Sequence, residues 1–184
     1  MGDGSGTGWQ DACGWAVVMV DRETRARQLF YGGMSDGTVN VAELMPYLQA
    51  LGYFHNQGGK QRLKRDGLVR VFIITDSRVT ATNGTTAVNP TKPLPRSHGP
   101  LWAAMREYAN LGYAIKFRWA QRSDSLLNWT SDLVAGLSRR AMLRGTEQIV
   151  RGDTATEAAE AIEDVEFVDP ESGEAINLQD LNPS

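Results

Sequence analysis

The sequence predicts an α/β domain whose mixed β-sheet is flanked by helices, and three observations lead to this fold class. Near-continuous apolar runs at 14–20 (GWAVVMV) and 68–75 (LVRVFIIT) predict buried strands, because strands covered on both faces lack polar alternation. Residues 113–119 alternate between apolar and polar side chains, which predicts a half-buried strand. Apolar residues spaced by three and four positions over 39–55 predict a helix. Such alternation of strands and helices is typical of α/β domains.

The segments between these elements are predicted from their glycine and charge content. Residues 27–34 are expected to form a hairpin with the first apolar run, with a bulge or turn at the glycine pair 32–33. The glycine pair 58–59 is expected to end the first helix. The segment 58–67 is strongly basic and polar, so we expect it to form an exposed connection.

The second half of the chain is predicted to contain two more helices. Residues 78–99 are rich in proline, glycine and asparagine, which favours a loop. Pro100 is suited to the first position of a helix that runs to about Asn110. A last helix is expected from about 128 to 144, and the domain is expected to occupy 1–145.

Composition excludes several classes of site. The chain has 184 residues, about the size of one domain, and Cys13 is its single cysteine, so an intrachain disulfide and a cysteine-based zinc site are excluded. With two histidines, His55 and His98, a metal site would have to consist largely of carboxylates. The sequence shows neither a transmembrane stretch nor a signal peptide, so we expect a soluble, cytoplasmic protein without a membrane partner.

The net charge of −3 is distributed unevenly along the chain. Residues 150–184 hold ten of the 22 acidic residues and one base, so the other 149 residues carry a net charge of +6. A basic body is suited to a polyanionic partner such as a nucleic acid. We expect 146–184 to form an acidic C-terminal tail that is partly helical or disordered.

Four carboxylates occupy positions from which they could form one site. Asp76 directly follows a buried strand, at the sheet edge where ligands bind in α/β proteins. Asp3, Glu43 and Asp132 lie where strand or helix ends could direct them toward Asp76. Clustered carboxylates repel each other unless cations neutralise them, and oxygen ligands favour Mg²⁺ or Mn²⁺.

The same residues carry a family resemblance. Asp3-Gly4-Ser5 before GWAVV, Asn40-x-x-Glu43-Leu44-Met45, Thr75-Asp76-Ser77 and Asn128-x-x-x-Asp132 occur in one order along the chain. From residue 3 to about 142 the sequence resembles type 1 ribonuclease H, with Pro100-Leu101-Trp102 at the start of a helix. The resemblance implies the ribonuclease H-like fold, with a mixed five-stranded sheet flanked by helices.

The resemblance also implies an activity and a site. Asp3, Glu43, Asp76 and Asp132 would be the catalytic and metal-binding residues. Two Mg²⁺ or Mn²⁺ ions would act on the scissile phosphate, one activating water and the other stabilising the leaving 3′-oxygen. The partner would be an RNA–DNA hybrid, whose RNA strand is cut to leave 5′-phosphate ends. The implied substrate-binding residues are Gly4, Ser5, Asn40, Ser77 and Asn128.

The sequence departs from the family pattern in three places. Only Met1 and Gly2 precede Asp3, so the first strand is expected to be short or truncated. The segment 120–128 (AQRSDSLLN) lacks the histidine that many members have there, so catalysis is expected to persist but to be slower. Segment 78–98 lacks a basic helical protrusion, which leaves hybrid binding to other bases. Examples of such bases are Lys60, Arg62, Lys64, Arg65, Lys92 and Arg96.

The sequence is also compatible with alternative interpretations. Asp11 could replace Asp3, and Asn40 could act as the N-cap of the first helix as well as contact the hybrid. The chain could be a ribonuclease H-like nuclease that acts on DNA. It could also be a non-catalytic nucleic-acid-binding or assembly module of the same fold.

Overall fold

The structure is a computed structural model that describes residues 1–6, 9–21, 23, 27–121, 139, 142, 150–152, 166–168 and 175–177. The strands are β1 (Gly2–Gly6), β2 (Trp9–Val20), β3 (Arg27–Thr38), β4 (Val69–Thr75), β5 (Tyr113–Trp119), β6 (Val150–Gly152), β7 (Glu166–Val168) and β8 (Ala175–Asn177). The helices are α1 (Val39–Phe54), α2 (Lys60–Asp66), α3 (Arg78–Ala87) and α4 (Gly99–Asn110), with a π-helical turn at His55–Gly59. None of the helices in these ranges is long and apolar enough to cross a bilayer.

The first three strands form an antiparallel sheet. β1 pairs with β2, so that Asp3 lies opposite Ala16, and β2 pairs with β3. The apolar run in β2 is buried on both faces, with Trp15, Ala16, Val17 and Val18 all at most 3% exposed. The strand predicted at 14–20 is therefore confirmed within a longer strand.

The glycine pair 32–33 does not form the bulge or turn that the sequence led us to expect. β3 continues through both residues, with Gly32 opposite Trp15 and Gly33 opposite Gly14. A Cβ on Gly32 would lie 2.7 Å from the Trp15 ring, so the missing side chain makes room for the indole. The register shifts lie instead between Trp9 and Cys13 on β2.

The remaining main strands form a separate parallel pair. β4 and β5 run in register from Val69 opposite Tyr113 to Thr75 opposite Trp119. A parallel pair needs a crossover connection, and α3 and α4 provide it. All five predicted strands are present, but β1, β2 and β3 belong to one sheet and β4 and β5 to another, instead of all five forming one sheet.

Helix α1 confirms the predicted first helix and packs on the antiparallel sheet. Its N-cap is Thr38, whose hydroxyl accepts a hydrogen bond from the Val41 amide at 3.3 Å. Asn40 is the second residue of the helix, so its interpretation as the cap is wrong. The buried positions share one core with Trp15, Phe30, Ile73, Trp102 and Met105; on α1 they include Leu44, Tyr47, Ala50 and Leu51.

The predicted exposed connection at 58–67 is largely helical. The glycine pair 58–59 lies in the π-helical turn, where Gly58 leaves helical geometry at φ 170°, and the chain then continues into α2. Leu63 packs against the core, and Arg62 forms an ion pair with Asp21. Polar composition concealed this helix because α2 buries few of its side chains and ends at Gly67, which has φ 74°.

The predicted loop at 78–99 begins with helix α3. Ser77 caps α3 by accepting a hydrogen bond from the Thr80 amide at 3.2 Å. Gly84 lies inside this helix, where a Cβ would be 2.5 Å from the Phe117 ring, so the close contact with β5 requires glycine at this position. The close packing of α3 on β5 therefore outweighs the weak helix propensity of its threonine and glycine residues. The helix predicted from Pro100 is confirmed as α4.

The C-terminal part of the chain is described at few positions. Of the last helix predicted at 128–144, Arg139 and Met142 are described, both as helical. β6 pairs antiparallel with β3, and β7 pairs with β8. The domain boundary at 145 stays a prediction, and β6 joins the main sheet beyond it.

Candidate metal centre

Three carboxylates from three different elements meet at one point. Asp3 lies on β1, Glu43 on α1, and Asp76 directly after the last residue of β4. One carboxylate oxygen from each residue lies within 4.8 Å of the other two. Among the residues that the structure describes, this is the one group of His, Cys, Asp or Glu side chains close enough to hold a metal ion.

A close approach of two backbones brings Asp3 and Glu43 together. Gly4, the residue after Asp3, faces the first turns of α1. A Cβ at Gly4 would lie 2.4 Å from both the Ala42 carbonyl carbon and the Glu43 amide nitrogen. Only glycine allows β1 to lie this close to the helix backbone, so this residue sets the distance between the two carboxylate-bearing elements.

The position of Asp76 is fixed by the ends of β4 and β5. The Trp119 indole nitrogen donates to the Asp76 carbonyl oxygen at 2.9 Å, and the Ala120 amide donates to the Thr75 carbonyl oxygen at 2.9 Å. These bonds continue the β4–β5 contact past the last paired residues. The backbone at Asp76 is therefore held from the β5 side.

Tyr47 is a buried residue of α1 that lies next to the carboxylate cluster, one helical turn after Glu43. It is 3% exposed, and burial raises the pKa of its hydroxyl well above the ordinary value. A hydrogen bond with Thr75 opposes this rise in pKa, whereas the charges of Glu43, Asp76 and Asp3 add to it. The Tyr47 hydroxyl therefore stays protonated and can act as a donor across the neutral pH range.

The cluster is suited to a hard divalent cation. Asp3 is 6% exposed, and Glu43 and Asp76 are half-buried, so water screens their mutual repulsion less than it would on the surface. A cation with charge +2 offsets that repulsion, and carboxylate oxygens are the ligands that Mg²⁺ and Mn²⁺ prefer. The donor set therefore fits the metal that the sequence predicted.

The other residues of the predicted site fall into two groups. Asp132 and Asn128 lie outside the described residues. Ser5 follows on β1, Asn40 is exposed three residues before Glu43, and Ser77 directly follows Asp76 as the cap of α3. Their proposed contacts with substrate stay predictions, and for Gly4 and Ser77 the structure adds the packing and capping roles described above.

Two of the bases assigned to hybrid binding are matched by acids within the protein. Arg62 binds Asp21, with both side chains largely buried, and also contacts Glu23 at 3.1 Å. Arg65 pairs with Glu23 at 3.0 Å and with Asp66 at 2.7 Å. The pairs with Asp21 and Glu23 attach α2 to the β2–β3 connection. The exposed bases Lys60, Lys64, Lys92 and Arg96 are better placed to contact a polyanion.

Sequence reasoning missed a stacked pair beside the cluster. Arg78 is exposed two residues after Asp76, and its guanidinium lies 4.1 Å from the centre of the Trp119 ring. The arginine follows the Asp76-Ser77 motif directly, which was the available signal, but the stacking partner comes from β5. A stacked guanidinium keeps its N–H groups available for phosphate oxygens.

Comparisons with known proteins identify the fold. No family model matches the chain, and no curated protein matches it. The N-terminal ribonuclease H domain of a Mycobacterium tuberculosis protein is similar with a TM-score of 0.53, 16% identity and coverage of 78% of this chain and 91% of that one. LC9-RNase H1, a type 1 enzyme with the type 2 active-site motif, gives a TM-score of 0.55, 19% identity and coverage of 95% and 89%. LC11-RNase H1, solved with an RNA/DNA hybrid, gives a TM-score of 0.51 and 17% identity, with coverage of 78% of this chain and 94% of that one.

These similarities agree with the element order and confirm the predicted α/β fold class. Because the identities lie between 16% and 19% for these three structures, they establish the fold and leave activity to the site itself. The chain has the ribonuclease H-like fold.

Proposed function

We propose that this protein is a metal-dependent nuclease that hydrolyses the RNA strand of RNA–DNA hybrids. The observation that carries the proposal is the meeting of Asp3, Glu43 and Asp76, with one oxygen of each within 4.8 Å of the others. The three carboxylates come from three separate elements, whereas an incidental group of surface acids can come from one exposed segment. The similarity to a ribonuclease H1 solved with an RNA/DNA hybrid supports the choice of substrate.

Asp3, Glu43 and Asp76 would hold the divalent cation. When bound there, Mg²⁺ or Mn²⁺ would supply Lewis acidity at a phosphate oxygen and lower the pKa of a coordinated water. The use of two ions, and of Asp132 as a fourth ligand, belongs to the proposal. The protein contributes three negatively charged ligands that are already close together, so binding a cation requires little rearrangement.

Residues around the cluster would bind and orient the hybrid. Arg78 follows Asp76 by two residues and stacks on Trp119, and from there its guanidinium would contact a backbone phosphate near the scissile bond. Asn40 is exposed at the start of α1, on the element that carries Glu43. Its amide can donate to and accept from base edges and 2′-hydroxyls in the wide minor groove of a hybrid. Recognition of 2′-hydroxyls would explain selectivity for the RNA strand.

The test is cleavage of three end-labelled substrates of one sequence: an RNA–DNA hybrid, duplex DNA and duplex RNA. We expect Mg²⁺-dependent or Mn²⁺-dependent cleavage of the RNA strand of the hybrid, 5′-phosphate ends, and loss of activity in chelator. Cleavage of duplex DNA in preference to hybrid would replace the proposal by a DNA-directed nuclease of the same fold. Binding without cleavage of any substrate would replace it by a non-catalytic nucleic-acid-binding module.

A further inference from the structure

The Tyr47 hydroxyl contacts both strands that lead to the aspartates of the cluster, Asp3 and Asp76. It lies 2.8 Å from the Gly2 carbonyl oxygen and 3.2 Å from the Ile74 carbonyl oxygen. Gly2 directly precedes Asp3 on β1, and Ile74 lies two residues before Asp76 on β4. The single phenol proton is shared between the two carbonyl oxygens in a three-centre hydrogen bond, and the shorter distance makes Gly2 the stronger acceptor.

Thr75 connects the surroundings of Tyr47 to the start of α3. Thr75 is 0% exposed, and its side chain lies close enough to Tyr47 to influence the pKa of the hydroxyl. The Thr75 hydroxyl oxygen in turn accepts the Ser77 amide at 3.1 Å. Tyr47 and Thr75 together therefore contact the backbone on both sides of Asp76, at Ile74 and Ser77, and Tyr47 also contacts Gly2, the residue before Asp3.

This connection matters because β1 and β4 belong to different sheets. β1 pairs with β2, and β4 pairs with β5, so within the described residues no ladder sets β1 against β4. Asp3 and Asp76 depend on that relative position to face Glu43. Tyr47 lies on the same helix as Glu43 and bridges the two strands, so it links all three elements of the cluster.

Gly2 is shaped to receive the tyrosine ring. A Cβ at Gly2 would lie 2.9 Å from the Tyr47 ring carbon Cε1 and 3.1 Å from the Pro46 Cβ. The missing side chain lets the ring pack directly against the backbone before Asp3. The bridge is thus supported by close packing as well as by hydrogen bonds.

We infer that Tyr47 is a positioning residue of the metal centre, whose hydroxyl fixes Asp3 and Asp76 relative to each other on either side of Glu43. The inference rests on the proposed function in taking this cluster as the metal centre. Tyr47 would act by raising the affinity of the cluster for metal, because ligands that must first be brought together bind a cation less tightly.

The test compares Mn²⁺ binding by the full-length wild type and the Tyr47→Phe variant, measured by titration calorimetry. Binding that is lost in Asp76→Asn defines the site and separates it from weak binding by other acids. The substitution removes one oxygen and keeps the ring, so we expect the dissociation constant for Mn²⁺ to rise about threefold to tenfold, as for the loss of one buried hydrogen bond. The Mg²⁺ concentration for half-maximal hybrid cleavage should rise in parallel, with kcat largely restored at saturating metal.

Tyr113→Phe is the matched control. Tyr113 is 2% exposed, and its hydroxyl makes one hydrogen bond, to His55 at 2.8 Å, at the opposite end of the β4–β5 pair from Asp76. We expect this variant to lose thermal stability without a change in Mn²⁺ affinity. Thr75→Val offers a second test at the other end of the bridge, with a weaker effect of the same sign expected.

Unchanged Mn²⁺ affinity in Tyr47→Phe, or equal changes in Tyr47→Phe and Tyr113→Phe, would overturn the inference. If Tyr47→Phe does not fold, Thr75→Val decides by the same criterion. If the wild type binds Mn²⁺ at the site but cleaves no hybrid, the proposed function fails while the affinity comparison still decides the role of Tyr47. Absence of Mn²⁺ binding by the wild type would overturn both.

Discussion

The contact between Gly4 and helix α1 predicts a large effect from adding a single methyl group. In Gly4→Ala the new Cβ would lie 2.4 Å from the Ala42 carbonyl carbon and the Glu43 amide nitrogen, and 2.7 Å from the Ala42 carbonyl oxygen. These are backbone atoms of a helix and cannot rotate away. Ordinary contact begins at 3.4 Å, so β1 and α1 must separate by about 1 Å. Overpacking of this kind costs about 1–3 kcal/mol of unfolding free energy.

The same displacement would act on the metal centre, because Asp3 and Glu43 flank the contact. Functional groups must be held within roughly 0.5 Å of their working positions, so a shift of about 1 Å should weaken Mn²⁺ binding at least about tenfold. Calorimetry measures the affinity, and urea unfolding measures the stability. Gly99→Ala is the control, because a Cβ at Gly99, the first residue of α4, meets nothing within 4 Å. Wild-type Mn²⁺ affinity together with wild-type stability in Gly4→Ala would refute the reasoning.

Two further predictions concern the hybrid contact and the pH dependence of stability. Asn40→Ala should raise KM for the hybrid about threefold to tenfold and leave Tm unchanged, since Thr38 caps α1; an unchanged KM would remove Asn40 from substrate binding. Burial, followed by the charge of Lys60, lowers the pKa of His55 below its ordinary value of 6.5, so the folded protein binds this proton less readily than the unfolded chain. The contribution of His55 to stability should be complete above pH 6.5 and be lost as the pH drops below it, so urea unfolding of His55→Asn should show a smaller fall in stability between pH 7.5 and 5.5. Equal falls in both proteins would contradict this assignment.

The parts of the fold that could be predicted from sequence are those with strong hydrophobic patterns. The strand at 113–119 agrees with the observed β5, because its alternating side chains leave no ambiguity of period. The strand at 68–75 and the helix that begins at 39 were recognisable from their apolar patterns, although the structure buries only residues 73–75 of the strand fully. The order of four short motifs then identified the fold class.

The parts that were mispredicted depend on contacts distant in sequence. Helix α3 has weak helical character by itself, and its Gly84 makes sense only against the Phe117 ring of β5. Helix α2 is attached by ion pairs from Arg62 and Arg65 to acids about 40 residues earlier. A pattern within a short window cannot contain such partners.

The candidate site likewise contains residues that could be predicted from the sequence and one that could not. Asp3, Glu43 and Asp76 were identified from their motifs, and the structure brings their carboxylates together. Tyr47 was assigned no role, because a tyrosine within an apolar helix pattern is equally suited to core packing. Its position between Gly2 and Ile74 depends on how β1 and β4 are placed, which no local pattern reports.

We propose that the carboxylate cluster is the active site of a hybrid-cleaving nuclease, and a single substitution tests this proposal most directly. Asp76→Asn removes one metal-binding charge with no change in side-chain size, whereas Glu107→Gln makes the same chemical change on the exposed surface of α4. Cleavage of a labelled RNA–DNA hybrid in Mg²⁺ should be lost in Asp76→Asn, with its circular dichroism unchanged, and should be retained in Glu107→Gln. Wild-type cleavage by Asp76→Asn would contradict the account.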